Sequence, residues 1–319
     1  MIRGFVSTRD MFQRAYEGRY AVPAFNFVCL EQLLAITDAC LETRSPFILQ
    51  CSANVRRGIG PAMVRAMAEG CSQMIAESGV RLPAALHLDH GTSVEECEAA
   101  IRDGFSSVMI DASALPFEEN VRVSARVAEL AHDHGVAVEA ELGVLSGVEE
   151  DTAHGEAAAT DPARVPDFVM RTGVDSLAVS VGTSHGVVKM RPRADGTLPP
   201  LRFDILARIE QDLPGFPIVL HGASGILPEY VDLFNRYGGA LVEAQGVPED
   251  QVRRAVASAV RKVNVASDGW IAMTAAARRA LAENPASIDP RAFLNPARRE
   301  MKQVYVRKIR DVMGSDGKA

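Results

Sequence analysis

Residues 84–90 read AALHLDH, a short apolar run that turns polar at its end and is followed by Gly91. The run is too short for an ordinary helix, and its apolar residues do not simply alternate with polar ones. It therefore predicts a strand covered on both faces. Seven other runs share this form: YAVPAFN (20–26), PFILQCS (46–52), SSVMIDAS (106–113), VAVEAELG (136–143), DSLAVSVG (175–182), FPIVLHG (216–222) and RKVNVAS (261–267). Between them lie stretches such as LEQLLAITDACLETR (30–44) and PFEENVRVSARVAELAHDHG (116–135). Their apolar residues recur every three or four positions, and glycine often follows the last turn, as helix C-caps require. Eight strands, each followed by a helical segment, predict a (β/α)8 TIM barrel spanning residues 1–319 as one domain. A doubly wound sheet is the weaker alternative, since no GxGxxG follows the first run.

Two stretches break the rhythm. Residues 144–163, VLSGVEEDTAHGEAAATDPA, are small and acidic and read as a mobile rim loop. Residues 223–260 hold enough sequence for two helical segments inserted between the seventh and eighth strands, and residues 270–319 read as a helical extension.

The formal net charge of −7 and a pI near 5.6 argue against nucleic-acid binding, which needs clustered Lys and Arg. The Arg-rich stretches near the end of the chain have helical spacing and read as solvated faces. Five cysteines without a CxxC pattern point to reduced thiols, with Cys40 and Cys71 packed in the core. No apolar run approaches the roughly 18 residues of a membrane span, so the expectation is a soluble, cytoplasmic protein without a membrane partner.

The carboxyl ends of barrel strands form the working face, and polar residues collect there: Asn26, Ser52, Asp89, His90, Asp111, Glu139, Glu141, Ser180, His221, Asn264 and Ser267. Of the seven histidines, five precede glycine, so that pair alone decides nothing. Position separates them. His90 and His221 end strands, and His185 follows the sixth strand by three residues. His134 closes a helix, and His154 lies in the acidic loop. Three neutral imidazoles on one face with an open fourth position make the ligand set of a catalytic zinc site. By strand alternation His87 faces away from His90 and serves packing or orients a neighbour. Asp111 and Glu141 fit either a second cation position or hydrogen bonding to strand-end amides.

The segments GTSHGVVK, HGASG and NVAS place glycines and hydroxyl residues after the last three strands, with Lys189 beside them. Bare N–H groups there could cradle a phosphate, as loops after strands seven and eight do in such barrels. Zinc beside a phosphate pocket suggests polarisation of the carbonyl of a phosphorylated ketose, with a carboxyl group moving the proton as a carbon–carbon bond breaks or forms.

At this point the residues resemble a known family. LHLDHG, GFSSVMIDAS, PFEENV, EAELGVLSGVEED, SVGTSHGVVK, VLHGASG and KVNVASD are similar, in order from about residue 20 to 275, to the motifs of class II, zinc-dependent fructose-bisphosphate aldolases and their ketose-bisphosphate relatives. The segment YGGALVEAQGVPEDQV resembles the branch with a longer insertion before the last strand. The resemblance implies zinc ligands at His90, His185 and His221, with Asp111 and Glu141 at an alternative zinc position. It implies acid/base work for Asp89 and a proton-handling role for Glu149 on the dihydroxyacetone phosphate half. Gly186, Lys189, Gly222, Ser224, Asn264 and Ser267 match the pocket for that half, and Asn26 and Ser52 match rim positions near the reacting carbons. A second cation, including a monovalent one, and a homodimer or homotetramer are further implications.

The chain also departs from the family pattern. N-x-D-T-D-L-R at the last strand is here NVASDGW, so Ala266 stands for an aspartate that contacts the aldehyde half and Trp270 for an arginine of the distal phosphate. Val28 and Cys29 occupy a stretch usually rich in asparagine. Tryptophan offers a face and one N–H where arginine offers a bidentate clamp. The expectation is an aldolase releasing dihydroxyacetone phosphate from a ketose phosphate with a changed distal end, rather than preferring fructose 1,6-bisphosphate. The alternatives are a true fructose-1,6-bisphosphate aldolase, a non-catalytic barrel subunit of a partner enzyme, and a zinc hydrolase on the same scaffold.

Overall fold

A computed structural model describes residues 1–149, 152–154 and 157–319, with side chains for all of these except 148–149 and 152–154. The strands are β1 (Val22–Asn26), β2 (Phe47–Ser52), β3 (Ala84–Gly91), β4 (Ser107–Ile110), β5 (Ala137–Leu142), β6 (Gly147–Glu149), β7 (Thr152–His154), β8 (Ser176–Val179), β9 (Ile218–Leu220) and β10 (Val260–Val265). All but β6 and β7 close into one parallel barrel in the order β1-β10-β9-β8-β5-β4-β3-β2. Each of the eight expected runs supplies one barrel strand.

The acidic stretch after β5, expected as a loop without strands, holds two short strands among its described residues. There β6 and β7 pair antiparallel, with Gly147 opposite His154, and an isolated bridge joins Val144 to Ala158. The small and acidic residues hide the alternation that would have marked two such short strands. The segment after β9 holds two helices, Pro228–Arg236 and Glu249–Val256. The C-terminal extension forms the helices Ser267–Glu283 and Arg291–Arg307 and a π-helical turn, Lys308–Met313. It packs on the barrel through buried Met301 and Tyr305, whose ring lies 4.4 Å from that of Phe25. Four cysteines are buried, Cys29 is partly so, and all five are free.

The barrel interior is graded along its axis. The N-terminal helix Thr8–Gly18 plugs one end, where Met11, Phe12 and Ala15 meet Tyr20, Val22, Ala24, Ile48 and Ala85. Met109, Ala178 and Val219 form a second small apolar cluster. Towards the carboxyl ends the filling turns polar, with His87, Glu139 and Lys262 fully enclosed. Alternation explains the change: Val22, Ala24 and Asn26 share one face of β1, while Ala85, His87 and Asp89 share one face of β3. No helix among the described residues is long and apolar enough to cross a membrane.

Candidate active site

The end of β3 makes two consecutive residues converge. His90 has φ +48°, in the left-handed region that non-glycine residues rarely occupy, and the pairing of β3 with β4 shifts register between Leu88 and Gly91. An irregularity of this kind re-aims a side chain. Asp89 keeps its inward direction, and His90 is turned to join it. Gly91 follows because a Cβ there would lie 2.7 Å from the carbonyl oxygen of Met109.

Three amides grip Asp89. Asn26 and Gln50 donate to its Oδ2 at 2.9 and 3.1 Å, and Asn264 donates to Oδ1 at 3.2 Å. Gln50 also donates to Oδ1 of Asn26 at 2.7 Å, so the donors are themselves fixed. Asn26, expected near the reacting carbons, is placed as a holder of the aspartate. Ser52 accepts from the N–H of Val55 at 3.2 Å and caps the helix Ala53–Ile59.

The three rim histidines meet. Ring centroids of His90 and His221 lie 4.7 Å apart, those of His90 and His185 5.0 Å, and those of His185 and His221 6.2 Å, all nearly edge-on. A nitrogen from each lies within 4.8 Å of one from either other. His90 Nδ1 faces Asp111 Oδ2 at 3.1 Å, and His221 Nε2 faces Glu139 Oε1 at 2.8 Å. If each ring donates its N–H to that carboxylate, the two remaining nitrogens present lone pairs to each other, 2.9 Å apart. Such an arrangement needs a proton or a cation between the rings. A divalent metal bound by imidazole, with carboxylates orienting the rings from behind, answers that need. The residues fit the ion that their chemistry implies.

Asp111 and Glu141 form a second group with His90. Glu141 is buried, its Oε2 has no hydrogen-bond partner among the described residues, and burial followed by the neighbouring Asp111 pushes its carboxyl well above the usual range. Burial opposes charge in Glu139 as well, but Lys262 and the flanking imidazoles outweigh it and hold that carboxyl far below the usual range. Lys262 Nζ donates to Glu139 Oε2 at 2.7 Å and lies 3.3 Å from His87 Nε2. His87 Nδ1 meets Ser107 Oγ at 2.8 Å, so the ring is held inside the barrel between Ser107 and Lys262.

The expected phosphate residues come from three neighbouring loops. Lys189, Ser224 and Ser267 are buried, and Ser267 Oγ donates to the carbonyl of Gly186 at 3.4 Å. Gly222 has φ +64°, and a Cβ on it would lie 2.6 Å from the carbonyl oxygen of Ser184, so the loops after β8 and β9 touch through it. Asp268 Oδ2 accepts from the N–H of Gly225 at 2.8 Å and pairs with Lys308 Nζ at 3.0 Å. Ser267 begins a 17-residue helix, whose N-terminus favours an anion. An open cleft of about 890 Å³ lies beside His185, lined by Ser146, Gly147, Ser184, Val188 and Gln245. Ala266 is buried at the end of β10, and Trp270, one turn on, has a buried Nε1 without a partner among the described residues. The side chains of Glu149 and His154 lie outside the described residues.

Sequence reasoning left Gln50 and Lys262 out of the site and gave Glu139 no role. Each lies two residues before a named site residue on the same strand, as His87 lies before Asp89. That parity was the available signal.

The family model described as "Fructose-bisphosphate aldolase class-II" matches residues 6–318. A protein of Treponema pallidum named fructose-bisphosphate aldolase is 54% identical over 325 aligned positions, covering 99% of this chain and 98% of that protein. A fructose-bisphosphate aldolase of Geobacillus stearothermophilus is 40% identical, with 98% of each covered. Among solved structures, the YdjI aldolase of Escherichia coli K12 superposes with a TM-score of 0.74 at 28% identity, covering 99% of both chains. This chain belongs to the class II fructose-bisphosphate aldolase family.

Proposed function

We propose that this aldolase binds zinc through His90, His185 and His221 and cleaves fructose 1,6-bisphosphate reversibly to dihydroxyacetone phosphate and an aldehyde. The observation that carries the reading is the buried carboxylate of Asp89, fixed by three amide donors beside the three converging imidazoles. A zinc ion held there supplies Lewis-acid polarisation of the ketose carbonyl. Asp89 takes the proton from the hydroxyl of the carbon released as aldehyde, and returns it in the synthetic direction. The loops carrying Gly186, Gly222, Ser224 and Ser267, with Lys189, hold the phosphate of the dihydroxyacetone half, and Glu149 handles the proton on that half's carbon. Glu139 and Asp111 orient the imidazoles.

The relatives named fructose-bisphosphate aldolase favour that substrate over the changed distal end expected from NVASDGW. Ala266 and Trp270 keep a second reading open, in which the preferred ketose 1-phosphate lacks a distal phosphate. A coupled assay for dihydroxyacetone phosphate over a panel of ketose phosphates separates the two. A kcat/KM highest for fructose 1,6-bisphosphate supports the first, and a higher value for a ketose 1-phosphate without a distal phosphate refutes it.

A further inference from the structure

The barrel end opposite the histidines holds a cavity that the aldol reaction does not use. Met11 from the N-terminal helix and Tyr20 just after it face a recess of about 260 Å³. Pro46, Leu82 and Pro83, from the segments entering β2 and β3, and Val6 add to its apolar lining. Arg14, Arg81 and Lys318 also line it, against Asp10 as the one acidic lining residue. The three cations form no ion pair among the described residues, whereas Arg9 on the same helix is bonded to Asp175 at 2.6 Å. Tyr20 is 3% exposed, and its hydroxyl engages no partner among the described residues. A phenol hydroxyl that opens on the recess, an apolar floor and a net charge of about +2 at the rim describe a receptor for an anion with an apolar body. The volume lies just below the roughly 300–1,000 Å³ range of drug-sized pockets, which limits the body to about one ring.

We propose that this recess is a second ligand site, separate from the aldol centre, for a small organic anion carrying a ring-sized apolar body and one carboxylate or phosphate head. The head lies among Arg14, Arg81 and Lys318, the body on Met11 and Leu82, and the Tyr20 hydroxyl donates to the head. The lining comes from stretches far apart in the chain, so a bound anion ties the C-terminal segment to the barrel floor.

Benzoate and phenyl phosphate, titrated separately into the full-length zinc-loaded protein by calorimetry, test this and identify the head. The expected result is one site per chain for at least one probe, with a melting temperature that rises with ligand. Affinity falls at least about tenfold in the Arg14→Gln/Arg81→Gln double variant. Tyr20→Phe weakens binding by a smaller factor. Dihydroxyacetone phosphate fails to displace the probe, and the double variant keeps the parent's melting temperature and aldol kcat. The proposal is overturned if neither probe saturates at roughly 10 mM, if the double variant binds as the parent does, or if dihydroxyacetone phosphate competes.

Discussion

Replacing Lys262 by methionine isolates the buried charge network beneath the proposed metal site. The ammonium donates to Glu139 at 2.7 Å and lies 3.3 Å from His87, with all three side chains enclosed in the barrel. Methionine keeps much of the volume, so the cost comes from leaving Glu139 charged without its cation. Breaking a buried ion pair in this way costs about 3–5 kcal/mol. With roughly 2.1 cal/mol/K per residue of unfolding entropy, 319 residues make a drop of about 4–7 °C in melting temperature. The pH dependence gives a second sign. In the parent, burial and then Lys262 hold the His87 imidazole down to about 3. The unfolded chain takes up that proton near 6.5, so this group's contribution to stability is lost as pH falls below 6.5, by about 2 kcal/mol between pH 7 and 5. Without Lys262, Glu139 at 3.7 Å favours the imidazolium and offsets that loss. The gap between parent and variant should therefore be widest near pH 8 and shrink towards pH 5.5. Thermal denaturation across that range at fixed zinc measures it. A gap below about 2 °C at pH 8, or one that widens in acid, refutes the reasoning.

Three further outcomes follow from the site. Asp89→Asn should lower the cleavage rate about 10²–10⁴-fold while the zinc content measured by atomic absorption stays the same, if Asp89 carries the proton as proposed; it belongs to neither candidate metal group among the described residues. His221→Ala should lose both zinc and activity, since it removes a proposed ligand and leaves Glu139 facing no imidazole at that oxygen; retained stoichiometric zinc would contradict it. Lys308→Met should raise KM for the ketose phosphate about tenfold with kcat nearly kept. Lys308 pairs with Asp268, and Asp268 accepts from the Gly225 N–H in the loop proposed to hold the phosphate.

The barrel was legible in the sequence because a strand buried on both faces leaves a compact apolar run, and eight such runs leave few other architectures. The rim histidines were legible for a related reason: a polar residue at the end of an apolar run has few places to face but the mouth. Alternation misled at one point only, since it sends Asp89 and His90 to opposite faces. The left-handed turn at His90 brings them together, and single-residue backbone conformation has no signature in residue type here. Gln50 and Lys262, and the part played by Glu139, escaped because a polar or charged residue inside a strand reads as an interruption until its partner across the barrel is known. The β6–β7 hairpin was hidden by small and acidic residues with low strand propensity.

Metal dependence tests the central claim most directly. Protein dialysed against a strong chelator should release no dihydroxyacetone phosphate from fructose 1,6-bisphosphate. Titration with zinc should restore the activity and level off at about one ion per chain, the stoichiometry of a single three-histidine site. Cleavage undiminished in metal-free protein, or full zinc loading in a variant with His90, His185 and His221 all changed to alanine, would contradict the assignment.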